Sequence, residues 1–244
     1  MTASPLNRAT LAEQVAQAIL AKIHAEQLAP GDTLPSTARL AEEFGVSRPV
    51  IREALKTLEG QAIIEVTNGR APVVKPINSL PLRAFFQRAI ALDHQSTLEL
   101  LEVRRGIEVQ SALLAAARRD EADAAALKEL VQVMENALGN PAAYAELDLS
   151  FHMHIAAATR NSMLTYLVES IRDALRGTIV EGLRSRFTQE QTQRVQAIHA
   201  RIAAEIGAGN SVGAAEAMAA HFDDAIHAVY LHTQRTTDAP PVAD

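Results

Sequence analysis

Leu40-Ala41-Glu42-Glu43-Phe44-Gly45-Val46-Ser47-Arg48-Pro49-Val50-Ile51-Arg52-Glu53-Ala54-Leu55-Lys56 contains two short helical patterns separated by a single glycine. In the first, Leu40, Ala41 and Phe44 share one face, and Gly45 stops the run because glycine readily enters the left-handed conformation that closes a helix. In the second, Ser47 stands at an N-cap position and Pro49 in the first turn, where a missing N–H costs little. This helix is expected to run to about Glu59 and to bury Ile51, Ala54, Leu55 and Leu58. Arg48, Arg52 and Lys56 recur at i, i+4 and i+8 on another face. Like charges at that interval repel one another in an isolated helix, so the pattern makes sense against a polyanion.

Upstream, Leu11, Val15, Ile19 and Ile23 recur every four residues and predict an amphipathic helix over 8–27. A turn cluster, Pro30-Gly31-Asp32 with Pro35, follows it. Downstream, Ile63, Ile64 and Val66, then Val73 and Val74, flank Asn68-Gly69 and predict a β-hairpin. Pro72 and Pro76 shorten its second strand and mark it as an edge. Helix, short helix, sharp turn, helix and hairpin is the order of a winged helix-turn-helix, in which the second helix of the pair enters the major groove. Arg48, near the start of that helix, is the candidate for a base edge, since Arg paired with guanine is the commonest specific contact. Arg39, Arg52, Lys56, Arg70 and Lys75 extend the basic surface towards phosphates. Three cations on a solvated helix are the competing reading of the spacing alone; the order of the elements favours double-stranded DNA.

The whole chain of 244 residues carries a formal charge of -6, which argues against nucleic acid until it is divided. Residues 1–76 hold 8 Lys and Arg against 8 Asp and Glu, and the remainder 15 against 21. A DNA binder needs a basic face, not a basic total. Hydrophobic residues make up 48% and charged residues 21%, enough to bury a core and to exclude disorder of the chain as a whole. With no Cys, disulfides, thiolate catalysis and cysteine zinc sites are excluded. No apolar run approaches the ~20 residues that span a bilayer, and no export signal is visible, so no membrane partner and a cytoplasmic location are expected.

Residues 8–75 thus form the expected DNA-binding domain and 76–81, with Pro76, Asn78, Ser79 and Pro81 among their six positions, the linker. Residues 82–232 read as six or seven helices forming an all-α bundle, and 233–244 as a flexible tail. Ser96-Thr97-Leu98-Glu99 and Thr188-Gln189-Glu190-Gln191 read as capping boxes; Asp120, Asn140 and Asn210 or Ser211 read as caps, with a break near Arg160. The fold class is mainly α. Within the bundle, Asp148 and His152 lie one helical turn apart, so a carboxylate oxygen and an imidazole nitrogen can share one ion. His199 and His221 lie on the last two helices, which the turn at 207–210 brings side by side. One Asp and three His make a nitrogen-rich site suited to a divalent metal, zinc or nickel above all. A surface pair or a satisfied core histidine is the bland alternative.

The residues also carry a resemblance. Pro30-Gly31-Asp32-Thr33-Leu34-Pro35-Ser36, with the stretch quoted above, resembles the DNA-binding domain of GntR-family bacterial transcription regulators. That resemblance implies DNA contacts by Ser47, Arg48 and Arg52. Three departures stand out: Ala38, where the family usually has Arg, with Arg39 one place later; and Ala62 and Ala71, where it usually has Gly. Leu101-Glu102-Val103-Arg104-Arg105-Gly106-Ile107-Glu108, Ala145-Glu146-Leu147-Asp148-Leu149-Ser150-Phe151-His152, His199 and His221-Phe222 resemble the FCD domain, the all-helical effector domain of the FadR-type branch. The resemblance implies Asp148, His152, His199 and His221 as metal ligands, and a small carboxylate completing the coordination. Arg104 is the leading candidate to meet that carboxylate, with Asn161 second; pairing of Arg104 with Glu108 at i+4 competes.

The function expected is a ligand-responsive regulator, a homodimer that represses a carboxylate or sugar-acid catabolic operon at a palindromic operator until an organic acid releases it. It is not expected to be an enzyme. The alternatives are a metal-dependent hydrolase or lyase, for which no general base is evident, and a regulator that senses the metal itself.

Overall fold

The computed structural model describes residues 9–67, 69–93, 95–186 and 189–237. The chain divides into two compact units that part between Pro81 and Leu82.

The first unit comprises α1 (Leu11–Ala25), α2 (Thr37–Phe44), α3 (Arg48–Gly60) and the antiparallel pair β1 (Ile64–Glu65) and β2 (Val73–Val74). The Thr10 hydroxyl accepts from the Glu13 N–H, and the Glu13 carboxylate accepts from the Thr10 N–H, so a capping box starts α1. The helix is shorter than the expected 8–27, and Leu11 in its first turn is 52% exposed instead of joining the stripe. Val15, Ile19 and Ile23 pack with Leu40 of α2 and with Ile51, Ala54, Leu55 and Leu58 of α3. Burying each large aliphatic side chain contributes about 1.5–3 kcal/mol. Gly45 closes α2 with φ +64, and nothing lies within 4 Å of where a Cβ would stand. The backbone, not crowding, demands glycine there.

The hairpin pairs Ile64 with Val74 and Glu65 with Val73. β2 is not the edge that its prolines suggested. Thr33 bridges to Val73, the Gly31 N–H donates to the Val74 carbonyl, and the Leu34 N–H donates to the Pro72 carbonyl. Pro72 cannot donate, but here only its carbonyl is used, so residues 31–34 cover the outer side of β2. Asn68, at the expected turn, lies outside the described residues.

The second unit comprises α4 (Leu80–Leu92), α5 (Gln95–Arg118), α6 (Glu121–Asn136), α7 (Pro141–Ala158), α8 (Ser162–Arg186), α9 (Gln189–Gly207) and α10 (Ser211–Thr237). α4 begins inside the expected linker, and α10 continues through 233–237, where a tail was expected; the remainder of that tail lies outside the described residues. Ser96 is inside α5 and forms no capping box there, because the Asp93 carboxylate accepts from the Gln95 N–H and the helix starts earlier. Thr188 lies outside the described residues. Asp120 and Asn140 cap α6 and α7. Asn161 and Asn210 accept first-turn N–H groups of α8 and α10. Arg118 donates to the Thr159 carbonyl, and Arg119 to the carbonyls of Ile206 and Gly207, so the last residue of α5 and the one after it satisfy the C-terminal ends of α7 and α9. Ala112, Ala115 and Ala116 of α5 and Ala214 and Ala217 of α10 are small enough for the helices to approach closely around Met134, Phe151, Ile202 and Phe222.

Candidate functional site

In the first unit, α3 turns Ile51, Ala54, Leu55 and Leu58 inward and leaves Arg48, Arg52 and Lys56 exposed. Arg39 on α2 and Arg70 in the hairpin connection are exposed as well. None of these five cations forms a side-chain ion pair or hydrogen bond among the described residues, so no described side chain pairs with them. Ser47 occupies the N-cap position of α3 but makes no side-chain capping bond, contrary to a purely structural role for its hydroxyl. Arg48 and Ser47 therefore stand together at the N-terminus of α3, the end a recognition helix turns to base edges.

In the second unit, α7 supplies Asp148 and His152, α9 supplies His199 and α10 supplies His221. One donor atom from each lies within 4.8 Å of the others. Asp148 Oδ1 is 3.2 Å from His199 Nε2 and 3.7 Å from His152 Nε2. The ring centroids of His199 and His221 are 4.6 Å apart, and those of His152 and His221 5.0 Å. His152 Nε2, His199 Nε2 and His221 Nδ1 are shielded from solvent and have no hydrogen-bond partner. Buried polar atoms are normally paired, and leaving one unpaired costs about 1–3 kcal/mol. Three such nitrogens converging on a carboxylate fit a metal ion, which holds its donors about 2.0–2.2 Å from itself. His154, two residues from His152, is exposed and bonds to the Ser150 carbonyl, outside the set.

A second layer orients these donors. His152 Nδ1 pairs with Glu108 Oε2, while Glu108 Oε1 accepts from Arg104 Nε. Asp148 Oδ2 accepts from Arg172 Nη2 at 2.6 Å, leaving Oδ1 facing the histidines. His199 Nδ1 lies 3.0 Å from the Tyr144 hydroxyl. Burial pushes the Asp148 carboxyl up, but the Arg172 guanidinium, helped by His152, holds it well below the usual carboxylate range. Glu108 is likewise lowered, Arg104 and His152 outweighing the effect of burial. Burial lowers His199, and lowers His221 further with the help of its histidine neighbours. Neutral imidazoles and an ionised carboxylate are the forms that bind a metal.

Comparison with known proteins places both units. Residues 11–74 match the family described as bacterial regulatory proteins, gntR family, and residues 99–224 match the FCD domain. The chain belongs to the GntR family. It is 32% identical over 197 residues to the HTH-type transcriptional regulator LutR of Bacillus subtilis, covering 80% of this chain and 90% of that one. It is 30% identical over 201 residues to the Glc operon transcriptional activator of Escherichia coli, covering 80% and 79%. Among solved structures, a GntR protein of Streptococcus agalactiae aligns with a TM-score of 0.66 at 26% identity, covering 88% of this chain and 99% of that one. A winged helix-turn-helix followed by an all-helical FCD domain is the fold of this GntR protein, and its function is that of a DNA-binding transcription regulator.

Ala62, at the position where GntR sequences usually carry Gly, has φ +59. The usual glycine suits a left-handed residue, and here an alanine bears the strain. Arg104, expected to meet an effector, forms the pair with Glu108 that competed with that role, and its guanidinium lies 4.9 Å from the centre of the Phe222 ring. Asn161 gives its side-chain oxygen to the Met163 and Leu164 N–H groups as the cap of α8. Sequence reasoning missed Arg172, fully buried, whose Nε and Nη1 make no hydrogen bond although Nη1 lies 3.7 Å from Glu108 Oε1, and missed Tyr144 and Gln196 behind His199.

Proposed function

We propose that this GntR regulator is a cytoplasmic homodimer that represses a carboxylate or sugar-acid catabolic operon and is released from a palindromic operator by a small organic acid bound at a metal-containing site in its FCD domain. The observation that carries the reading is the meeting of three unpartnered imidazole nitrogens and the Asp148 carboxylate beside Arg172. One oxygen and three nitrogen donors suit Zn²⁺ or Ni²⁺. Such an ion, when bound, supplies a Lewis-acidic anchor for a carboxylate oxygen. Arg172 Nε and Nη1 are buried N–H donors that a carboxylate satisfies, and Arg104, engaged through Nε, adds positive charge nearby. Ser47, Arg48 and Arg52 read the operator, with Arg39, Lys56 and Arg70 on phosphates. Pairing of two copies is supported by α4, where Leu82, Phe85 and Leu92 leave 39%, 67% and 77% of their surface exposed on one side of the helix.

Catalysis is disfavoured by the carboxylates themselves. Glu108 and Asp148 each hold an arginine, and Glu146 pairs with Arg176 at the surface, so none is a free general base. The deciding experiment is fluorescence anisotropy with the protein's own upstream promoter DNA at moderate salt, using stripped and Zn²⁺-loaded protein, with and without sugar acids, hydroxy acids and dicarboxylates. We expect a sequence-specific complex that one class of acid weakens. The absence of such a complex at micromolar protein refutes the reading. A response to metal that no acid alters makes the ion itself the signal. A promoter reporter in a deletion strain gives the sign: expression rises without a repressor and falls without an activator.

A further inference from the structure

We infer that Tyr144 and Gln196 are positioning residues that set the tautomer of His199, keyed by the backbone carbonyl of Val131; the inference rests on reading the four-donor set as a metal site. The relay starts from a group with no freedom. A backbone carbonyl can only accept, so the Gln196 carboxamide must turn its NH₂ towards Val131 O, 2.8 Å away. Its oxygen then faces the Tyr144 hydroxyl at 3.0 Å. A carboxamide oxygen also only accepts, so the single phenol proton points at Gln196. The Tyr144 oxygen therefore meets His199 Nδ1, 3.0 Å away, as an acceptor. The relay therefore puts the imidazole proton on Nδ1 and turns the Nε2 lone pair to the donor set, against the pull of the Asp148 carboxylate, whose Oδ1 lies 3.2 Å from Nε2.

Gln196 and His199 are both buried, at 3% and 0% exposed, so water has little access to substitute for either partner. Val131 is on α6, Tyr144 on α7 and Gln196 on α9, so the order of protons depends on how three helices sit together. Without Gln196 the phenol is free to donate to Nδ1. The imidazole proton then moves to Nε2 and closes the position a metal would use. His152 reaches the same end by a different route, through the Glu108 carboxylate on α5.

Two measurements on full-length protein test the relay. Long-range ¹H–¹⁵N spectra of the metal-free wild type, with His199 assigned by its loss in His199→Asn, are expected to show the proton on Nδ1. A proton on Nε2 overturns the inference. Competition with a chromophoric chelator is expected to show Zn²⁺ binding about 10–100-fold weaker in Tyr144→Phe and Gln196→Leu. The double variant is expected to be little weaker than either single one, since both break one chain. Wild-type affinity in variants that keep the helical circular dichroism overturns it, because a merely structural role lowers the melting temperature and spares the metal. If the wild type takes up no Zn²⁺, the metal reading fails, and the tautomer spectrum still decides the relay. The same spectrum decides it should a variant fail to fold.

Discussion

Stripping a divalent ion from the FCD domain should lower its melting temperature by an amount set by linkage. Metal-free, the site leaves His152 Nε2, His199 Nε2 and His221 Nδ1 buried and unpaired. At about 1–3 kcal/mol per group, several kcal/mol of strain is available for a metal to relieve. The gain seen in a melt is RT ln(1 + [M]/Kd), about 2.7 kcal/mol when the free ion stands at ~100 times Kd. For a unit the size of the one beyond Pro81, 1 kcal/mol shifts the melting temperature by about 2–4 °C, so the expected rise is about 5–11 °C. Each further tenfold in free ion adds about 1.4 kcal/mol, or roughly 3–6 °C. The assay is scanning calorimetry of full-length protein, stripped with a chelator, checked by elemental analysis and reloaded in Zn²⁺ or Ni²⁺ buffers of known free concentration. His199→Ala should abolish the dependence. A wild type whose melting temperature is unmoved by verified stripping and reloading refutes the reasoning, and an equal shift in His199→Ala places the ion elsewhere.

Three other outcomes follow from particular residues. Arg48→Ala is expected to cost about 1–3 kcal/mol on operator DNA and much less on random DNA; equal losses in anisotropy titrations on both would reduce Arg48 to a phosphate contact. Ala62→Gly relieves a left-handed alanine, and is expected to stabilise the winged helix by about 1 kcal/mol in urea unfolding; a lower midpoint would show that the alanine methyl packs usefully. In stripped protein, His199 and His221 are lowered in the folded state and take their ordinary value in the unfolded chain, which therefore binds more protons once the pH falls below about 6.5. Stability should then decline from about pH 7 towards pH 5 and level off above pH 7. Urea midpoints that do not fall over that range would contradict the neutral burial of the two rings.

The reading head was legible because its signals act over one helical turn. Gly45 closes α2 by its own backbone, and Ile51, Ala54, Leu55 and Leu58 mark a buried face without reference to distant residues. The β2 edge was misread for the opposite reason. The segment that covers it, around Thr33, precedes α2, and no hairpin rule looks that far back. The same limit divides the four-donor cluster. Asp148 and His152 announce themselves at i, i+4, whereas His199 and His221 were joined to them by a helical turn and a family resemblance. Tyr144 and Gln196 are 52 residues apart, and Arg172 is 24 residues from Asp148 on another helix. No periodicity marks such pairs, and a Tyr, a Gln or an Arg in a helix reads as an ordinary surface or interface residue until its partner is known.

The composition of this core bears on what it is for. α5 gives Arg104 and Glu108, α6 the Val131 carbonyl, α7 Tyr144, Asp148 and His152, α8 Arg172, α9 Gln196 and His199, and α10 His221, so six helices meet at one polar centre. Burying two arginines and two carboxylates is a poor way to hold a bundle together. Desolvation of each ion costs several kcal/mol, and well-packed apolar side chains in their place usually match or exceed such a cluster in stability. Around it, Ala112, Ala115, Ala214, Ala217 and Phe151 already show that this bundle packs well with apolar residues. The charges are therefore better explained by a ligand than by the fold. A carboxylate that reached Arg172 would have to compete with, or rearrange, the bond Arg172 makes to Asp148, and that bond leaves the other Asp148 oxygen facing the histidines. An effector can shift the helices only by as much as it binds the two arrangements differently. In the proposed site one guanidinium would serve both Asp148 and the incoming acid, and would supply such a difference directly.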